Sequence, residues 1–94
     1  MPRTQMHLAT IVSNGLGASP YAWLQPQVDP ADYANIHALV RYAQAAERGK
    51  LDFIFLGDFL AQSQRTEAHA PGQTLEPTVV ATAITLATKR IGVV

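Results

Sequence analysis

Apolar and polar positions in this chain fall into two spacings that follow one another. Leu8-Ala9-Thr10-Ile11-Val12 is a short, β-branched apolar run closed by Ser13-Asn14-Gly15, which predicts a buried strand followed by a break. From Gly15 through Gly17, Ser19-Pro20, Pro26 and Asp29-Pro30 the chain is rich in breakers and predicts a long loop. It exceeds the ~2–6 residues usual for a connection from strand to helix, and its Tyr21, Trp23 and Leu24 favour an ordered loop. From Ala31 the spacing becomes helical: Ile36, Leu39, Val40 and Ala43 share a face, while Arg41, Gln44 and Glu47 lie on others. Asp29 and Asp32 suit a helix N-terminus, and Arg48-Gly49-Lys50 supplies a basic end with Gly49 as the left-handed stop.

Leu51 to Leu56 is apolar on both alternating faces apart from Asp52, the pattern of a parallel strand covered on two sides, and Gly57-Asp58 ends it. Gln62 to Gln73 is polar, with Pro71-Gly72 as a turn signal, and predicts a second loop. A second helix starts at Glu76-Pro77, where proline at the first helical position and an acid beside it are both favourable. Its Val79, Val80, Ala83, Ile84, Leu86 and Ala87 surround the axis, so it is expected to be buried on more than one side and to close with Lys89-Arg90. Ile91-Gly92-Val93-Val94 then predicts the start of a third strand, and residues 1–94 are expected to be a partial domain cut off there.

Strands joined by helical crossovers demand a parallel sheet, which opens both doubly wound sheets and (β/α)₈ barrels. A barrel needs about 250 residues, so this chain holds its β-α-β-α-β opening and would expose an apolar edge unless something covered it. In either architecture ligands bind beyond the carboxyl ends of the strands. The loop from Ser13 to Pro30 and Asp58 with the loop after it occupy that end.

Composition narrows the chemistry. With 48% hydrophobic and 15% charged residues the chain is globular in type, and Lys+Arg 7 against Asp+Glu 7 leaves no net field to gather nucleic acid or an anionic membrane. The absence of cysteine removes disulfides, thiolate nucleophiles and Cys-ligated zinc, and a cytoplasmic location is expected. Thr10, Ser13 and Asn14 break the first apolar stretch before a signal-peptide core could form, and no run approaches the ~18 apolar residues of a membrane span. His7, His37 and His69 share no ligand spacing and HExxH is absent, so no metal site is expected. Ser13-Asn14-Gly15-Leu16-Gly17 is no dinucleotide loop, because Pro20 stands where the third glycine of GxGxxG belongs.

Asp58 is the leading candidate: it follows an apolar strand and a glycine, and it either faces a ligand or caps the next turn. Trp23 and Asn14 are candidates for the wall of a substrate pocket, with Trp23 equally able to pin its loop to the rim. Thr78, Thr82 and Thr85 form a stripe that would suit a subunit interface or plain surface. No catalytic residue is assigned.

Ala46-Glu47-Arg48-Gly49-Lys50-Leu51-Asp52-Phe53-Ile54-Phe55-Leu56-Gly57-Asp58 resembles the second-strand signature of the bacterial luciferase-like flavin-dependent monooxygenases. The resemblance is to the branch holding nitrilotriacetate monooxygenase component A, dibenzothiophene sulfone monooxygenase and long-chain alkane monooxygenase. Met6-His7-Leu8, Ala22-Trp23, Leu75-Glu76-Pro77 and Thr88-Lys89-Arg90-Ile91-Gly92 match in order. The resemblance implies the N-terminal portion of a luciferase-like TIM barrel, inactive alone. It also implies reduced FMN delivered by a separate NAD(P)H-dependent flavin reductase, oxygenation of a small organic substrate by O2, and a homodimer. The acid ending the second strand contacts the flavin in that family, which carries over to Asp58. Two departures stand out: Trp23-Leu24 where the family often has Trp-Arg, and Leu56-Gly57-Asp58 where it commonly has Leu-Ala-Asp. A luciferase-like oxidoreductase using a deazaflavin, and a non-catalytic small α/β interaction module, are the alternatives.

Overall fold

Three short strands, β1 (Ala9–Val12), β2 (Phe53–Leu56) and β3 (Gly92–Val93), lie side by side in the order β1-β2-β3. Both pairings are parallel, with Ala9 opposite Phe53 and Phe53 opposite Gly92. Parallel neighbours need a crossover between them, and the helices α1 (Ile36–Arg48) and α2 (Pro77–Ala87) supply the two. The structure, a computed structural model, describes residues 4–12, 21–57 and 75–94.

Each strand starts later than its apolar run. The Leu8 N–H donates to Asp52 Oδ2 at 2.8 Å, the Leu51 N–H to the Ala46 carbonyl at 3.1 Å, and the Ile91 N–H to Glu47 Oε2 at 3.0 Å. Side chains and a helix end have taken donors that a ladder would use. At the other end the pairing runs past β3: the Leu56 N–H donates to the Val94 carbonyl at 2.7 Å and the Val94 N–H to the Ile54 carbonyl at 2.8 Å.

The first helical stretch is split rather than continuous from Ala31. Pro30–Ala34 forms a 3₁₀ helix capped by Asp29, whose Oδ1 accepts from the Ala31 N–H at 2.9 Å. Asn35 is extended and caps α1, accepting from the His37 N–H at 3.0 Å. Asp32 therefore does not sit at the α1 terminus; it accepts from Asn35 Nδ2 at 3.3 Å and from Arg41 Nη2 at 3.1 Å. At its far end α1 closes in a Schellman motif, with the Lys50 N–H on the Glu47 carbonyl and the Leu51 N–H on the Ala46 carbonyl. The left-handed residue is Lys50, with φ 64°, not Gly49, with φ −74°.

α2 begins as its sequence predicts, with Glu76 accepting from the Val79 N–H at 2.9 Å and Pro77 in the first turn. It ends at Ala87, short of Lys89-Arg90. Thr88 turns extended, its hydroxyl donating to the Ile84 carbonyl at 2.7 Å, and Gln44 Nε2 donates to the Ala87 carbonyl at 3.3 Å.

Both helices pack on one face of the sheet. Ala43, Ile54, Val80 and Ile84 form the buried cluster, with Val12, Leu56, Ile91 and Val93 against it. The opposite face carries Ile11 (65% exposed), Phe55 (44%) and Val94 (68%). α2 is covered on one side only among the described residues, since Val79 and Leu86 are exposed along with Thr78, Thr82 and Thr85. Parallel sheets are stable with both faces covered, and this segment covers one.

Candidate functional site

Because the three strands run the same way, their carboxyl ends meet at one edge, the place where parallel α/β folds bind ligands. Val12 lies opposite Leu56 in the register, and Leu56 is bonded in turn to Val94. β1 and β2 therefore end at neighbouring positions, two residues before Asn14 and Asp58 in sequence. Asn14 and Asp58 themselves lie outside the described residues. Gly57 has room beside it, since a Cβ built there would come no closer than 3.8 Å to its nearest neighbour, Phe55 Cε1. Ile11 and Phe55 are register partners on the uncovered face, so the wall beneath this edge is apolar.

Trp23 belongs by its backbone to a short 3₁₀ helix, Ala22–Leu24, on the segment joining β1 to α1. The Leu24 N–H donates to the Tyr21 carbonyl at 3.1 Å and the Gln25 N–H to the Ala22 carbonyl at 3.2 Å, which fixes that turn locally. The Trp23 side chain is outside the described part.

Two of the three described carboxylates held below their ordinary values, Asp52 and Glu47, lie at the opposite edge. The Asp52 carboxylate is held below its ordinary value of 3.8, chiefly by the Leu8 N–H, with His7 Nδ1 at 3.5 Å adding to it. The Asp52 N–H also donates to the Leu8 carbonyl at 2.8 Å, so one residue pins the entry of β1 to that of β2. Glu47 is lowered more simply, by three backbone N–H groups of Arg90, Ile91 and Lys89. Glu76 is lowered by the N–H groups of Thr78 and Val79 at the start of α2.

In the sequence Glu47 falls on a polar helix face and inside the second-strand signature, with no role as an anchor for β3. A signal existed: an acid in the last turn of a helix opposes the helix dipole, so its presence points to a particular partner. Asp52 gave a similar signal as the lone acid in an apolar strand run. Among the described residues no three His, Asp or Glu side chains converge as metal ligands. No described helix is long and apolar enough to cross a membrane.

Comparison with known proteins adds the frame around this edge. No protein-family model matches the chain. It is 34% identical over 83 residues to nitrilotriacetate monooxygenase component A of Aminobacter aminovorans, covering 77% of this chain and 18% of that protein. Its structure superposes on EDTA monooxygenase (EmoA) from Chelativorans sp. BNC1 with a TM-score of 0.83 and 27% identity, over 96% of this chain and 21% of that one. The chain thus spans about a fifth of the length of these relatives. The fold is accordingly the β-α-β-α-β portion of a TIM barrel, an architecture whose helices form the outer ring around the strands.

Proposed function

We propose that this chain, whose sequence and fold both match luciferase-like monooxygenases, forms the opening part of an FMN-dependent monooxygenase. In this reading reduced FMN and O2 oxygenate a small organic substrate, and a separate NAD(P)H-dependent flavin reductase delivers the flavin. One relative is the component A of a nitrilotriacetate monooxygenase, which supports a system of more than one protein. A homodimer and a cytoplasmic location belong to the same proposal.

The observation that carries the reading is the shared carboxyl edge of the parallel sheet, to which the sequence adds Asp58 directly after Gly57. The central strand β2 ends at Leu56 and is followed by Gly57, which has space beside it, at the edge where such barrels bind ligands; Asp58 is the next residue in sequence. The surroundings fit a flavin: Ile11 and Phe55 offer an apolar wall for a flat ring, and a carboxylate at the strand end can accept hydrogen bonds from the ring's polar edge. When bound, the flavin supplies the activation of O2. In this reading Asp58 would orient it, the apolar wall would keep water away, and Asn14 and Trp23 would border the space left for substrate.

The test is an anaerobic titration of reduced FMN into the full-length protein and its Asp58→Ala and Asp58→Asn variants. A hydrogen bond to a charged group contributes about 1.5–3 kcal/mol, so Asp58→Ala should weaken binding roughly 10- to 100-fold. Asp58→Asn should lose less. Failure to bind reduced FMN, or equal binding by all three proteins, would overturn the proposal.

A further inference from the structure

Glu47 stands in the last turn of α1 and reaches across to the turn between α2 and β3. A single carboxylate oxygen, Oε2, accepts from the N–H groups of Lys89 at 2.8 Å, Arg90 at 2.7 Å and Ile91 at 3.0 Å. Three successive backbone donors aimed at one point form a concave nest, an arrangement that receives anions. Thr88 turns extended where α2 ends, so none of the three N–H groups continues the helix. The next residue, Gly92, donates its N–H to the Asp52 carbonyl at 2.9 Å and lies opposite Phe53. Holding residues 89–91 therefore sets the register at which β3 meets β2. The stretches 46–52 and 88–92, separate in sequence, are one structural unit joined by this carboxylate.

We propose that the Lys89-Arg90-Ile91 turn is an anion-binding site for a small carboxylate, filled in the native protein by the side chain of Glu47. Glu47 is then a positioning residue for β3. The Lys89 and Arg90 side chains are exposed and add positive charge beside the nest. Truncating Glu47 to alanine removes one methylene and the carboxylate, the heavy atoms of acetate, so the vacated site has the size and donor set for acetate itself.

The experiment is thermal unfolding of wild-type, Glu47→Ala and Glu47→Gln full-length protein in sodium acetate, with sodium chloride at matched ionic strength as the control. Glu47→Ala should melt several degrees below wild type. Its midpoint should rise with the logarithm of acetate concentration, as a ligand specific to the folded state requires. Wild type and Glu47→Gln, whose sites stay filled, should gain no more from acetate than from chloride. Amide NMR resonances of residues 89–91 in Glu47→Ala should shift saturably with acetate. Acetate acting no better than chloride on Glu47→Ala, or raising all three proteins alike, would overturn the proposal. Should Glu47→Ala fail to stay soluble, recovery in acetate but not chloride supports the site, and insolubility in both counts against it.

Discussion

Two isoleucines on opposite faces of the same sheet separate the packing of this segment from what covers it. Ile54 lies on the central strand, is 0% exposed, and belongs to the cluster with Ala43 on α1 and Val80 and Ile84 on α2. Buried isoleucine to alanine costs about 2–5 kcal/mol, the higher values arising where the surroundings cannot collapse into the cavity. Here β1 and β3 flank the site within the sheet and both helices close it from above, so Ile54→Ala should cost roughly 4 kcal/mol. Ile11 is 65% exposed, so about a third of its side chain is buried within this segment. Full burial of such a side chain contributes ~1.5–3 kcal/mol, and a third of that is below about 1 kcal/mol. If the sheet's second face lines a closed barrel, Ile11→Ala in the full-length protein should instead cost about 2–5 kcal/mol, like any core truncation. Urea unfolding followed by far-ultraviolet circular dichroism reads both values. An Ile54→Ala loss under ~1 kcal/mol would refute the helix-face core, and an Ile11→Ala loss that stays under ~1 kcal/mol would refute a barrel interior on the other face.

Two further outcomes follow from the same geometry. A Cβ at Gly92 would meet Phe53 Cβ at 3.1 Å and the Asp52 carbonyl at 3.3 Å, so a side chain at position 92 would crowd β3 against β2. Gly92→Val should destabilise by about 1–3 kcal/mol through forced separation of the strands, and an unchanged denaturation midpoint would show that the strands part freely. Glu47, Asp52 and Glu76 are each held below their ordinary values of 4.5, 3.8 and 4.5 by backbone N–H groups. The unfolded chain therefore binds more protons than the folded one as pH falls through that range. Their stabilisation is complete above the unfolded values and is lost as pH drops through the lower folded ones. Unfolding free energy should be flat near pH ~6 and fall toward pH ~3, with a shallower fall in Glu47→Gln. Equal slopes for variant and wild type would remove Glu47 from the explanation.

The order of elements was legible because each rests on local periodicity: Ile36, Leu39 and Ala43 on α1, and the apolar run ending at Leu56 on β2. Boundaries were less legible, because they depend on partners far away in the chain. Leu8, Leu51 and Ile91 look like strand residues, but their N–H groups are taken by Asp52, the end of α1, and Glu47. Gly49 looks like the left-handed stop, yet the Schellman hydrogen bonds place that conformation one residue later, at Lys50. Asn35 outcompetes Asp29 and Asp32 as the cap of α1 because the proline-led 3₁₀ turn ends just before it. The carboxyl end of β2 could be read from the apolar run closing at Leu56-Gly57, since the end of a parallel strand is marked in sequence. The helix-end position of Glu47 hinted at a partner, but which partner could not be read, because its three donors are 42 to 44 residues away.

The flavin proposal is tested most directly by a crystal structure of the full-length protein grown anaerobically with reduced FMN. The expected result is an isoalloxazine ring beyond the shared carboxyl edge of β1, β2 and β3, with the Asp58 carboxylate within hydrogen-bonding distance of its polar edge. FMN bound elsewhere, or Asp58 turned back to cap its own turn with no contact to the ring, would contradict it.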